Sequence, residues 1–349
     1  MSQKFFARLF FKKVVACLIL ALAAPSAHAK GPIHGLVTMG SLYFVRRPGV
    51  EPDNGLSEAK THPGLYAGAV VSATWEELEP TRGQFDFAAI DRGLASVRAY
   101  NARHSGARLV AKLRIFAGLH SPDWVMRLDG GPIRLMKTLD VEAYPHFWSG
   151  PYRAAWRVLQ QRLAARYDDD GLVAEVAVSS CSSTTAEPFV MPLPENLSAL
   201  VAAGYTDAAM EACLMGAIDD YAPWRHTAID YTFNPFRVVM DGRVRVDDAF
   251  TRGVMRRFRA RYGARGVVAN HGLEVATAPH AVPVYAELKA LGPPMAFQTK
   301  GPREDWDAAV AKALAMGMTE LEVWNTREDG GVANVTARQL RRWRQELEH

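Results

Sequence analysis

A short apolar strand followed by an amphipathic helix recurs about every 35–45 residues along this chain, and that recurrence constrains its fold more than any other feature. Strands are predicted over 37–42, 67–74, 108–115, 173–179, 228–233, 266–270, 295–299 and 321–324. The helix after the second strand carries Phe87, Ile90, Leu94 and Val97 at a spacing near 3.6, with Asp86 placed to cap it. Trp156, Leu159 and Leu163 form the stripe after the third strand, and Phe250, Val254, Phe258 and Tyr262 the stripe after the fifth. Eight such units predict a single-domain α/β fold, a closed (β/α)8 TIM barrel over 30–349. The rival is an open doubly wound sheet, which would hold a nucleotide on a glycine-rich turn after its first strand. Met39-Gly40-Ser41 offers one glycine there, which favours the barrel.

Residues 1–29 read as a secretory signal peptide. Lys4, Arg8, Lys12 and Lys13 precede an apolar run over 14–24, and Ala27-His28-Ala29 offers a small-x-small cleavage site. The run is about half the length of roughly 20 residues that a spanning helix needs. The segment's four cations account for the formal net charge of +4, so the chain after cleavage is near neutral. Its basicity is therefore no argument for nucleic acid, and no later run argues for a membrane. The expected location is periplasmic or secreted. Cys181 and Cys213 lie beyond the signal, where export permits a disulfide between them without requiring one.

One segment is far more specific than the rest. Trp75-Glu76-Glu77-Leu78-Glu79-Pro80-Thr81-Arg82-Gly83-Gln84-Phe85-Asp86-Phe87, followed by Ile90-Asp91, resembles the stretch after the second strand in a large clan of barrel glycoside hydrolases. That clan includes β-galactosidases, xylanases and cellulases. Ala117-Gly118-Leu119-His120-Ser121-Pro122-Asp123-Trp124-Val125 resembles its third-strand loop. Leu321-Glu322-Val323-Trp324 resembles an eighth strand ending in the tryptophan that floors the sugar site. The first motif argues for ancestry and fold, because Glu79-Pro80, Gly83, Asp86 and Asp91 suit a turn and a helix start.

Glycoside hydrolysis needs two carboxyl groups flanking the scissile bond. The resemblance implies an acid/base glutamate after strand four and a nucleophilic glutamate at the end of strand seven. Thr185-Ala186-Glu187-Pro188 matches the first, with alanine in place of the usual asparagine and a few residues later than usual. Strand seven departs from the pattern. It ends in Gln298, an amide that can bind a hydroxyl but cannot attack, and the nearest acid, Glu304, lies well along the loop.

Strand alternation puts Glu322 on the face of Trp324, which makes it the substitute catalytic carboxylate or else one half of an ion pair bracing the barrel. Lys112 and Arg114, of one parity on strand three, are its candidate partners. Trp75, Glu76, Arg114, His120, Trp124, Asn234, His271, Gln298 and Trp324 are the candidate substrate contacts; the alternative for the polar ones is a hydrogen-bonded partner in the barrel mouth, and for Trp75, Trp124 and Trp324 a place in the core. No residue spacing calls for a metal or other cofactor, and Gly-x-Ser-x-Gly is absent. The function expected is an exported hydrolase of a β-linked glycan or oligosaccharide. The alternative is an inactive barrel that binds carbohydrate without cleaving it, for which Gln298 speaks.

Overall fold

A computed structural model describes residues 30–39, 56–137, 140–183, 185–188, 190, 192–240, 242–299, 305–324 and 335–348. The predicted signal peptide and Glu304 lie outside them. Eight parallel strands close into one barrel: β1 (Gly35–Met39), β2 (Gly68–Thr74), β3 (Val110–Phe116), β4 (Val173–Ala177), β5 (Ala228–Thr232), β6 (Gly266–Asn270), β7 (Met295–Gln298) and β8 (Glu320–Trp324). Each strand pairs with its sequence neighbours, and β8 closes on β1 with Glu322 opposite Val37 and Trp324 opposite Met39. The fold is the (β/α)8 barrel that the recurrence predicts. Among the described residues no helix is long and apolar enough to cross a membrane.

The alternation of each strand divides the molecule into two interiors. Outward residues such as Leu113, Val176, Ile229, Phe297 and Leu321 pack under the helices and make the main apolar core. Inward residues are sorted differently. Two small apolar clusters, Ile33, Val37, Val70 and Ala174 on one side and Val267, Ala269 and Ala296 on the other, sit apart from that core, and between them the lumen carries polar and charged side chains. A barrel of eight strands is filled by side chains, so charges placed there are sealed from water.

The second-strand motif is a structural knot. Thr74 and Glu77 form a capping box at the start of the helix Trp75–Leu78. The Glu79 carboxylate accepts from Trp75 Nε1 at 3.1 Å and from the Gly83 amide at 2.8 Å, inside a turn where Gly83 takes φ +79°. Burial pushes the Glu79 carboxyl up, against those two bonds and Arg82. Asp86 is not the cap residue, since Phe87 occupies that position, but its carboxylate still accepts from the Ala88 amide at 2.8 Å.

Two antiparallel hairpins, Ile133–Lys137 with Asp140–Tyr144 and Arg237–Met240 with Arg243–Val246, interrupt the strand-helix rhythm after β3 and β5. Both sit on the side of the barrel where the strands end, which is where such folds carry their sites.

Candidate active site

Register sets the site. Glu175 of β4 lies opposite Lys112 of β3, and Gln298 of β7 lies opposite Glu322 of β8, so inward side chains from successive strands meet in layers. The Lys112 ammonium is fully buried and contacts four carboxyls: Asp230, Glu322 at 2.7 Å, Glu320 at 2.8 Å and Glu175 at 3.3 Å. One layer nearer the mouth, Arg114 donates to Glu322 Oε1 at 2.6 Å. Glu322 is thus the anchor of a buried ion network. Its second oxygen, Oε2, accepts no hydrogen bond among the described residues and faces His271 Nε2 at 3.8 Å.

His271, just past β6, bridges this network to the surface. Its Nδ1 lies 2.8 Å from Glu187 Oε1, and its Nε2 lies 3.1 Å from Thr232 Oγ1 at the end of β5. Asn234 donates from Nδ2 to the other Glu187 oxygen at 2.7 Å. Glu187, on the loop after β4, is the member that reaches solvent: its side chain is 20% exposed, against 11% for His271 and 1% for Glu322. A graded path therefore runs from an open carboxyl, through an imidazole, to a sealed one.

The electrostatics follow from who faces whom. Burial pushes Glu187 up, but the facing His271 ring, the hydrogen bonds from His271 and Asn234, and Arg114 outweigh it and hold the carboxyl below its ordinary value. Glu322 is treated likewise: burial raises it, and Arg114, Lys112 and His271 drive it well below the usual carboxylate range. Burial lowers Lys112, yet Asp230, Glu320, Glu322 and Glu175 together raise it well above an ordinary lysine.

Glu320 goes the other way. Burial and the neighbouring Glu175 push it far up, more than Lys112 can offset. Glu175 is raised too, by burial and then Asp230, against the pull of Lys112. The balance of burial, cation and neighbouring acid therefore favours the protonated form of Glu175 and Glu320.

That balance has a testable consequence. A carboxyl raised by folding holds a proton that the unfolded chain releases near pH 4.3, so its burden on stability appears as pH rises above that value. Glu320→Gln keeps an oxygen for Lys112 and carries no such proton. Its thermal midpoint is expected to gain on that of the wild type as pH is raised from about 4.3 to 8. A constant or growing deficit over that range would mean that Glu320 is ionised against Lys112.

The donor atoms of Asp230, His271 and Glu322 come within 4.8 Å of one another, a spacing that suits a metal ion. Lys112 already contacts Asp230 and Glu322, so a cation is built into that place. At the opposite end of the barrel Asp168, Asp169 and His226 also come together, but the Asp168 carboxylate is taken up by the amides of Arg225, His226 and Thr227.

Of the residues picked from sequence, the fold brings five into one contact set: Glu187, Asn234, His271, Glu322 and Arg114. Gln298 borders it from β7, buried, with Nε2 donating to Met39 Sδ at 3.3 Å. Trp324 is half-buried at the end of β8, its amide donating to Thr299 Oγ1 at 2.8 Å. Glu76 is half-buried at the head of the helix after β2, and His120 stands edge-on to Phe116 in the loop after β3.

Trp75 is not a substrate platform: it is fully buried between Trp124, Tyr152 and Trp156, with ring centroids 5.1–6.0 Å away. Trp124 keeps a partly open ring, but its Nε1 is spent on the Glu79 carbonyl at 3.0 Å and Arg82 lies 5.6 Å over its face. His271 and Asn234 contact Glu187 directly, which makes them partners of the carboxyl. Asp230 and Glu175 escaped the sequence reading although each is the one acid of its strand, and Glu320 because it lies one residue before the predicted eighth strand.

No family model and no curated protein matches this chain. Solved structures do. Endo-glycoceramidase II from Rhodococcus sp. in complex with a five-membered iminocyclitol is 15% identical, with a TM-score of 0.54 over 90% of this chain and 80% of that one. The same protein with a cellobiose-like imidazole gives 14% and 0.54 over the same shares. With ganglioside GM3 it gives 14% and 0.51, over 85% and 74%. At such identity the likeness shows a common barrel, and the chemistry rests on the site itself.

Proposed function

We propose that this barrel is an exported glycoside hydrolase, acting in the periplasm or outside the cell on a β-linked glycan or oligosaccharide, with Glu187 as the proton donor and Glu322 as the second carboxylate. The observation that carries the reading is the Glu187–His271–Glu322 bridge at the strand ends. Glu187 is held below its ordinary value, so it must take a proton before it can give one to a leaving oxygen, and the His271 ring 2.8 Å away is placed to supply it. The sealed carboxylate behind it, held ionised by Arg114 and Lys112, supplies negative charge towards a developing oxocarbenium ion, and Oε2 is its uncommitted atom. The resemblance of the second-strand motif, and the sugar-like ligands of the Rhodococcus structures, support a carbohydrate in the mouth.

A second reading, binding without cleavage, has its own observation. Glu322 is 1% exposed, and Gln298 beside it cannot ionise. A screen of β-linked glycans for reducing-end release separates the two. Hydrolysis predicts release from at least one glycan by the wild type. Saturable binding with no release from any would establish the sugar-binding reading instead.

A further inference from the structure

The loop that carries Glu187 is clamped from two sides by features that neither the barrel nor the proposed chemistry requires. Cys181 and Cys213 form a disulfide, joining the start of this loop to the helix Asp207–Asp220. Both residues are buried, and Cys181 takes a left-handed backbone conformation, φ +57°, unusual for a residue other than glycine. Such a conformation persists where its surroundings over-determine it. Here the flanking residues are fixed as well: the Ser179 amide donates to Tyr221 Oη at 3.1 Å, and Ser182 Oγ donates to the Ser179 carbonyl at 3.0 Å.

The second side is the loop after β3. The Leu119 amide donates to the Ser183 carbonyl at 2.9 Å. The backbones approach so closely at Gly118, φ +59°, that a Cβ there would overlap the carbonyl oxygens of Ser182 and Ser183. Glycine is required at that position by both space and conformation. Cys181 and Gly118 therefore fix the loop just upstream of Glu187, whose carboxylate must then meet His271 and Asn234 within hydrogen-bond distance.

We propose that the Cys181–Cys213 disulfide, together with Gly118, is a positioning device that sets the Glu187 carboxylate against His271. It is separate from the barrel's own stability, which rests on the apolar shell and the lumen charges. The proposal rests on the assignment of Glu187 as the proton donor only for its effect on turnover; the placement of Glu187 is a claim about structure and is tested without activity.

The His271 ring faces Glu187, Glu322 and Thr232, so its ring signals, followed by NMR at fixed pH, report whether Glu187 is in place. They are compared in the wild type, in Glu187→Gln and in the double variant Cys181→Ala with Cys213→Ala. The double variant is expected to fold and to move the His271 ring signals most of the way to their positions in Glu187→Gln. Turnover of any glycoside found by the screen should fall about 10²-fold, chiefly in kcat, as a misplaced catalytic group requires. Unchanged His271 ring signals in the folded double variant overturn the proposal. If the double variant fails to fold, Gly118→Ala perturbs the same clamp from the other loop and is read in the same way, with unchanged ring signals again overturning it. A wild type that cleaves no glycan removes the hydrolase reading while leaving the His271 comparison decisive.

Discussion

Lys112→Met is expected to cost this protein most of its stability at neutral pH. The side chain is wholly buried, and its ammonium is the common partner of Asp230, Glu175, Glu320 and Glu322. Methionine matches the stem and fills the space, so the loss is electrostatic. Among the described residues Arg114 pairs with Glu322 and with none of the other three carboxyls, which are left without that cation. Breaking a buried pair by removing one partner costs about 3–5 kcal/mol, against a total stability of about 5–15 kcal/mol for a typical fold. Urea unfolding at pH 7 should show a much lower midpoint, or no folded baseline.

The sign of the pH dependence identifies the cause. Carboxyls that have lost their cation have raised folded pKa values, so folding takes up protons and the variant regains stability as pH falls towards about 4.3. A wild-type urea midpoint at pH 7 would mean that the lumen charges contribute nothing to the fold.

Glu187→Gln is expected to remove about 10²–10⁴-fold of turnover, the ordinary contribution of a general acid, while leaving the protein folded. The amide can still accept from Asn234 or meet His271, and the residue sits at the open end of the network, where the packing is least dependent on it. Thermal unfolding within a few degrees of the wild type should accompany the loss. Glu322→Gln should also lose turnover, but with lower stability, because it takes one carboxylate from Arg114 and Lys112 together. Full activity in either variant removes that residue from the mechanism.

The architecture was legible in the sequence because its signal is repeated. Eight apolar strands, each with its amphipathic partner, leave few alternatives to a closed barrel. Parity also worked within single strands. Glu322 and Trp324 were placed on one face, with Lys112 and Arg114 as prospective partners, and the structure has Glu322 held by both cations.

What parity could not supply was the company kept across strands. Asp230 in Ala228-Ile229-Asp230-Tyr231-Thr232 and Glu175 in Val173-Ala174-Glu175-Val176-Ala177 carry the same signal, an acid flanked by apolar residues. Joining them needs the register. Trp75 stayed open between sugar stacking and core, because an aromatic at a strand end is read alike from sequence whether it faces the mouth or turns under the next helix, and the structure buries it. The two hairpins were missed because they are short insertions, with alternation too brief to stand out, as in Arg243-Val244-Arg245-Val246. The Cys181–Cys213 link stayed open because two cysteines fix no distance until the helix Asp207–Asp220 is packed.

The central claim is that Glu187 delivers a proton to the departing oxygen, and leaving-group dependence tests it most directly. Wild type and Glu187→Gln are compared on two β-glycosides of the same sugar, one with an alkyl aglycone and one with a dinitrophenyl aglycone that departs without protonation. The account predicts that Glu187→Gln loses hydrolysis of the alkyl glycoside by at least about 10²-fold and keeps most of its rate on the dinitrophenyl glycoside. Equal losses on both substrates, or none on the alkyl glycoside, would contradict it.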